Sequence, residues 1–392
     1  MEFEYWWLLA FPLFFSLGWL AARVDIQHLL SESRSLPASY IEGLNFLLNE
    51  QPDKAIEAFV EVAKADTETV ELNFALGGLF RRRGEVERAI RMHQNLVERA
   101  DLDGEKRQLA LFELGQDYLK AGLLDRAEQI FSGLRNTPHD IPASKFLLEI
   151  YELEKDWHNA IRIAQQLATT APGHSWQKEI AQFHCELAVG ESAHSDLDAA
   201  RKHLDAALSV YRDCARANLL LGDLEAAENR HETAIHYWKR IETQNPAYLP
   251  LVAERLLASH RALGRAADGL ALLRSYLTKY ASVDILNTVF QTELELEGAH
   301  AAYRMVRDEL RRNPSLRGLD KLLEAQLIEA PAERRQDMQL IKNLIHQHSQ
   351  RLTLYGCENC GFKAKQFHWR CPACGGWETF PPKRREELES LA

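Results

Sequence analysis

The chain has 392 residues, of which 47 are Lys or Arg and 57 are Asp or Glu, so its formal net charge is −10. This length excludes a small disulfide scaffold, and the acidic balance argues against a general nucleic-acid binder, whose affinity for phosphates needs clustered Lys and Arg. With only 20 Gly and 13 Pro, the composition favours helix throughout.

The first predicted element is a membrane anchor in residues 1–22. Tyr5–Ala22 are uncharged and mostly apolar, and as a helix they measure about 27 Å, enough to span a bilayer core. A cleaved signal and a buried or interfacial helix are the alternatives, but Glu2 and Glu4 stand where a signal carries basic residues. The first basic residues follow the segment, which predicts an N-terminus outside and a cytoplasmic remainder. Residues 23–35 are predicted to be a linker.

A repeat array is predicted for residues 36–349. A pattern of small, aromatic, small and large residues recurs after 34 residues, and again after a four-residue insertion. It is carried by Gly43, Phe46, Ala55 and Phe59, then by Gly77, Phe80, Ala89 and His93, then by Gly115, Tyr118, Ala127 and Phe131. This period is typical of tetratricopeptide repeats, in which the small residue lets two helices approach closely and the large ones fill the space between hairpins.

A solenoid of such repeats is a binding surface rather than a catalytic fold. In the first three units, the residue three positions before the repeated Gly is aromatic. Basic residues lie about one helical turn after that Gly in the second and third units. The candidate partner-binding residues are therefore Tyr40, Phe74, Arg81, Arg82, Phe112 and Lys120. Such a groove would suit a peptide with apolar and carboxylate side chains. The alternative is that the rings pack within the repeats.

A metal-binding module is predicted for residues 350–382, followed by a charged tail, 383–392. Cys357 and Cys360 form one Cys-x-x-Cys pair and Cys371 and Cys374 another, each followed by Gly. Two such pairs can hold one tetrahedral metal ion, zinc or iron, with no coordination position left open for a substrate. A disulfide framework is the competing interpretation, and a cytoplasmic location argues against it.

Other residues near the module and in the repeats have simpler interpretations. The module has too many aromatic side chains for about 40 residues to bury, so some are expected to dock on the last repeat helices. These are Tyr355, Phe362, Phe367, Trp369 and Trp377. Cys185 and Cys214 stand alone in helical stretches and are predicted to be small buried hydrophobes.

The expected fold is all-α: a transmembrane helix, a tetratricopeptide-repeat solenoid and a small rubredoxin-like metal module. No Gly-rich phosphate loop, Gly-x-Ser-x-Gly elbow or His-Glu-x-x-His motif occurs in the sequence, so no enzymatic activity is predicted. Two alternatives remain open, a membrane-tethered redox partner and a general assembly scaffold. Nucleic-acid binding by residues 351–392 is disfavoured, because their seven basic and five acidic side chains give a net charge of only +2.

This order of parts resembles the lipopolysaccharide assembly protein B family of Gram-negative bacteria. The resemblance covers the whole chain. The segments that carry it are YIEGLNFLL at 40–48, RGEVERAIRMHQ at 83–94, AGLLDRAE at 121–128, IAQFHCELA at 180–188 and CENCGFKAKQFHWRCPACGGW at 357–377. By this resemblance Cys357, Cys360, Cys371 and Cys374 are the metal ligands.

The resemblance implies a single-pass protein of the inner membrane, with its N-terminus in the periplasm and the bulk of the chain in the cytoplasm. Its implied function is that of an adaptor, which binds the deacetylase of the lipid A pathway and promotes its degradation by the membrane-anchored FtsH protease. Other membrane proteins of lipopolysaccharide assembly or sensing are further candidate partners, and a homo-oligomer is left open.

Overall fold

The computed structural model describes residues 42–43, 45–46, 48–49, 51, 54–59, 70–171, 173–349 and 354–384. The predicted anchor, the linker and Tyr40 lie outside these residues. Within the described ranges, no helix is both long enough and apolar enough to cross a bilayer. The chain divides into two compact units, residues 1–150 and 151–392.

In the first unit, consecutive helices pack against each other as hairpins. Residues 54–59 are helical, and the helices that follow are α1 (Val70–Arg83), α2 (Val86–Glu98), α3 (Gly104–Lys120), α4 (Leu124–Gly133) and α5 (Asp140–Glu154). The boundary between the units falls inside α5, after Ile150.

The second unit continues the hairpins and ends in the cysteine module. Its first helices are α6 (Trp157–Thr170), α7 (Gln177–Ala193), α8 (Leu197–Val210), α9 (Ala215–Ala227), α10 (His231–Gln244) and a 3₁₀ helix (Pro246–Leu251). There follow α11 (Ala253–Ala262), α12 (Ala266–Lys279), α13 (Val283–Leu296), α14 (Ala299–Arg312), α15 (Leu316–Glu329) and α16 (Ala332–Ser349). In the module, β1 (Tyr355–Gly356) pairs antiparallel with β2 (Lys363–Ala364). The protein is therefore mostly helical, with a short β-ribbon that the expected all-α class did not include.

Polar caps and left-handed turns set where the helices begin and end. Asp103 accepts a hydrogen bond from the Lys106 amide at 2.7 Å and starts α3, and Asp196 caps α8 in the same way at 2.9 Å. Gly84 and Gly122 have φ of 85° and 74°, a conformation that favours glycine, and each closes the first helix of a hairpin.

The repeated small residue packs against the repeated large residue of the same hairpin. A Cβ atom on each such glycine would overlap the buried ring that faces it. The pairs are Gly43 with Phe59, Gly77 with His93, Gly115 with Phe131, and Gly222 with Trp238. The predicted role of this position, close approach of two helices, is confirmed.

Two adjacent glycines of α1 provide a test of this packing. Gly77→Ala should lower the free energy of unfolding by about 1–3 kcal/mol, because its Cβ would overlap the His93 ring, which is fully buried and cannot move aside. Gly78→Ala is the matched control, since nothing lies within 4 Å of its added Cβ, and helix propensity should stabilise it by about 1 kcal/mol. Urea unfolding measures both variants, and equal effects would contradict the packing role of Gly77.

Candidate metal centre and its seat on the repeats

The four cysteines of the module form one cluster. Their sulfur atoms all lie within 4.8 Å of one another. Sγ of Cys357 is 3.8 Å from Sγ of Cys374, and Sγ of Cys360 is 3.7 Å from Sγ of Cys371. With zinc–sulfur bonds of about 2.3 Å, the edge of a tetrahedron of sulfurs measures about 3.8 Å. The spacing of the thiols thus fits one tetrahedral metal ion.

The two Cys-x-x-Cys pairs have the same backbone turn. The amide of Gly361 donates to the carbonyl of Cys357 at 2.9 Å, and the amide of Gly375 donates to the carbonyl of Cys371 at 2.9 Å. Both glycines are left-handed, with φ of 73° and 70°. The first cysteine of each pair is buried and the second is exposed. Two matching turns therefore bring four thiols together with one edge of the cluster facing solvent.

The thiols ionise unequally. Burial acts to raise the pKa of Cys357, but hydrogen bonds with the Thr379 hydroxyl and nearby backbone amides prevail and lower it to about 6. At Cys360 the amide of Phe362 acts to lower the pKa, while lost hydration and the neighbouring cysteines raise it to about 12. Four thiolates cannot share this space without a cation. The donor set fits zinc or iron, either of which would supply that positive charge.

The module is seated on the repeats of the second unit through Arg370 and Trp377. Nη2 of Arg370 donates to Oε2 of Glu152, in α5, at 2.5 Å. The Trp377 ring packs edge-on against Trp157 and Phe183, with ring centroids 6.1 and 5.9 Å apart. Burial raises the pKa of Glu152, although Arg370 acts in the opposite direction. An ion pair and an aromatic cluster thus fix one end of the module.

A second aromatic group joins the module to the 3₁₀ helix. The Trp369 ring stacks on Tyr248 with a centroid separation of 4.9 Å and an interplanar angle of 21°. Phe367 packs against both rings, at 4.9 Å from Trp369 and 6.3 Å from Tyr248. The guanidinium of Arg216, from α9, lies 5.6 Å from the Trp369 ring and 5.9 Å from the Trp377 ring. Arg216 therefore connects the two aromatic groups.

Polar contacts complete the seat. Glu378, left-handed with φ of 53°, accepts a hydrogen bond from Gln182 of α7 at 2.7 Å. At the other end, Asp284 of α13 accepts hydrogen bonds from the Tyr355 hydroxyl at 3.2 Å and from Nε of Arg384 at 2.9 Å. Most of these repeat residues belong to the first helix of successive hairpins. One face of the second unit thus carries the module.

The position of this seat differs from the sequence expectation. Some of the aromatic residues were expected to dock on the last repeat helices, α15 and α16, but Trp377 packs on α6 and α7, and Trp369 packs on the 3₁₀ helix. The contact of Trp377 with Glu152 spans 225 residues of sequence. The expectation was wrong because the chain turns back after α16. The seat residues Glu152, Gln182, Arg216, Tyr248 and Asp284 had no motif that could have revealed them.

Two of the candidate partner-binding aromatics, Phe74 and Phe112, lie in described residues of the first unit and are half-buried. Phe74 packs beside a buried cluster that includes Leu96 and Leu102. The Phe112 ring lies 6.0 Å from that of Phe131 and 5.1 Å from that of His139. Both rings thus contact repeat side chains of the first unit, and their role in binding a partner stays a prediction.

The candidate basic residues have different surroundings. Arg81 donates to Asp117 at 2.8 Å and to Glu113 at 2.5 Å, and Asp117 also pairs with the buried His93 at 2.5 Å. Arg81 thus belongs to a network between repeats. Arg82 and Lys120 are exposed.

Cys185 and Cys214 are fully buried in the repeats, with their sulfurs 3.9 Å apart. Burial raises the pKa of Cys185 well above its usual range, which keeps the thiol neutral. The predicted role of these two residues as small buried hydrophobes is confirmed.

Residues 355–382 match the family described as a rubredoxin metal binding domain, and residues 42–103 and 185–248 match the tetratricopeptide repeat family. The chain is similar to the lipopolysaccharide assembly protein B of Escherichia coli (strain K12), with 34% identity over 96% of this chain and 97% of that protein. The protein of the same name from Haemophilus influenzae is 29% identical over 97% of this chain and 98% of its own length.

Among solved structures, that of MamA protein covers 45% of this chain and 92% of its own, with 20% identity and a TM-score of 0.34. That score is too low to add to the sequence matches. The repeats, the four-cysteine module and identity along almost the whole length together decide the family. The chain belongs to the lipopolysaccharide assembly protein B family.

Proposed function

We propose that this protein is an inner-membrane adaptor, which binds the deacetylase of the lipid A pathway and promotes its degradation by the FtsH protease. Membership of a family named for lipopolysaccharide assembly supports the proposal. The observation that carries it is the metal module seated on the repeats by Arg370, Trp369 and Glu378. Such a seat makes one rigid binding platform from two kinds of domain.

The proposed mechanism is proximity. A platform that holds a substrate and is anchored beside a membrane protease raises their effective concentration and requires no chemistry of its own. Residues 1–22 would supply the anchor, with the N-terminus in the periplasm and the platform in the cytoplasm. Other membrane proteins of lipopolysaccharide assembly could compete for the same anchor and so regulate the adaptor.

The proposed partner surfaces lie where the repeats and the module remain accessible. In the second unit, the module covers the face made by Gln182, Arg216 and Tyr248, so a partner of that unit would meet the outer side of the module. In the first unit, the exposed Arg82 and Lys120 could pair with carboxylates of a bound segment.

Deleting residues 1–22 should abolish turnover of the deacetylase while leaving binding intact. The remaining chain keeps its repeats and module but loses its place beside the protease. Pulse-chase measurement of deacetylase half-life tests turnover, and co-purification tests binding. The control replaces the segment with an unrelated single-pass helix of the same orientation, which separates tethering from a specific contact made by the anchor. Unchanged turnover without any anchor would overturn the adaptor proposal.

The exposed edge of the cluster supports a second candidate function, electron transfer. Cys360 and Cys374 face solvent, so a redox partner could approach an iron centre there. Zinc does not change oxidation state, and both metals fit the four thiols. If the adaptor proposal holds, cells whose protein carries only zinc keep normal deacetylase turnover. Loss of turnover with zinc and recovery with iron would favour electron transfer instead.

A further inference from the structure

Three histidines from three successive helices come together in the second unit, away from the cysteine module. His158 is on α6, His184 on α7 and His203 on α8. The rings of His184 and His203 have centroids 5.7 Å apart, and those of His158 and His203 are 6.2 Å apart. His184 and His203 are half-buried and His158 is exposed. The proposed adaptor function uses none of them.

The closest atoms of this group are two ring nitrogens. Nδ1 of His184 lies 3.4 Å from Nδ1 of His203. This separation is long for a hydrogen bond, since N–H···O bonds in proteins measure about 2.7–3.2 Å. With zinc–nitrogen bonds of about 2.0–2.1 Å, however, the edge of a tetrahedron of nitrogens is about 3.3–3.4 Å. The two nitrogens thus stand at the separation that one metal ion would require.

The environment of His184 and His203 favours the neutral form of both rings, which is the form that can bind a metal ion. Burial, followed by the neighbouring His203 and His158, lowers the pKa of His184 to about 4. Burial and His158 also lower the pKa of His203, which Glu191 opposes. Neutral imidazole is the form that binds transition metals. The carboxylate of Glu191, on the same helix as His184, supplies nearby negative charge.

We propose that His184 and His203 form a second metal site, which takes a divalent transition ion such as Zn²⁺ with His158 as the third protein ligand. The ion would join α6, α7 and α8 and thereby fix the angle between two successive hairpins. A set of nitrogen ligands suits zinc, nickel and copper rather than magnesium or calcium. This site differs from the cysteine cluster in its ligands and in its position on the chain.

The test uses the full chain with its cysteine cluster already loaded with zinc. Calorimetric titration with Zn²⁺ should show one further equivalent bound. Titration with Co²⁺ should produce ligand-field bands without additional thiolate-to-cobalt charge transfer, since no sulfur takes part. His184→Gln and His203→Gln should each weaken this binding by more than about tenfold.

Variants and a control separate the site from general surface binding. His300→Gln alters an exposed histidine of α14 and should leave the second equivalent unchanged. His158→Gln should weaken binding less than the other two, because its ring has to move toward the ion. Circular dichroism of each variant before titration checks that it is folded. Absence of a second equivalent, or binding that survives both His184→Gln and His203→Gln, would overturn the proposal.

Discussion

Replacing Cys371 with serine should leave the protein without its metal ion and should unfold residues 354–384. The Cys371 side chain is buried, and its sulfur lies 3.7 Å from that of Cys360, inside the cluster. In zinc-finger peptides, metal binding contributes about 10–16 kcal/mol to folding, and a module of this size has little core to replace it. The hydrophobic cluster of the module is small and includes two of the ligands themselves.

Metal analysis and limited proteolysis would measure this result. The metal content should fall from one equivalent to well below one, and the module should become sensitive to protease, while the helical circular dichroism of the repeats persists. Cys185→Ala is the matched control, because it also removes a buried thiol but lies in α7, outside the cluster. A Cys371→Ser protein that retains one full equivalent would contradict the assignment of four cysteine ligands.

Features within one repeat were predictable from sequence because they join residues close in the chain. Gly77 and His93 belong to a pattern that recurs along the repeats, and the turn at Gly84 follows from the backbone freedom of glycine. The Cys-x-x-Cys pairs are equally local. In each case the spacing itself determines which side chains meet.

Contacts between distant parts of the chain were not predictable. Arg370 meets Glu152 across 218 residues, and neither residue belongs to a repeated pattern. The contact between His184 and His203 was not predictable either. The two residues are 19 positions apart, and this spacing does not correspond to the repeat period. Their meeting depends on how successive hairpins stack, which the sequence of one hairpin does not specify. The module has more aromatic side chains than it can bury alone, which predicted that it docks on the repeats. Their number did not indicate which helices it docks on.

Replacing Trp369 with alanine should release the module from the repeats while its metal ion stays bound. The ring stacks on Tyr248 and lies beside Phe367 and Arg216, and Trp369 does not belong to the four-cysteine group that would hold the ion. Truncation of a well-packed tryptophan costs about 3–5 kcal/mol. Because Trp369 is half-buried, we expect about 3 kcal/mol, enough to shift docking toward the released state.

Hydrogen exchange should then rise in α9 and the 3₁₀ helix, while metal content remains at one equivalent. Phe362→Ala is the matched control, since this aromatic residue of the module is 37% exposed and its ring packs near Phe380, within the module. Unchanged hydrogen exchange in the Trp369→Ala protein would contradict the docking of the module on the repeats through Trp369. A double-mutant cycle with Tyr248→Ala should give a coupling of about 1 kcal/mol for the stacked pair.

Comparing the two variants separates the effect of losing the metal-dependent fold of the module from the effect of losing its docking on the repeats. Cys371→Ser removes both the fold of the module and its seat, whereas Trp369→Ala removes the seat alone. If the adaptor acts through a rigid platform, deacetylase turnover should fail in both. Turnover that survives Trp369→Ala but not Cys371→Ser would mean that the folded module is sufficient and that its position on the repeats is dispensable. Because both variants leave residues 1–22 in place, neither failure could be attributed to loss of the membrane anchor.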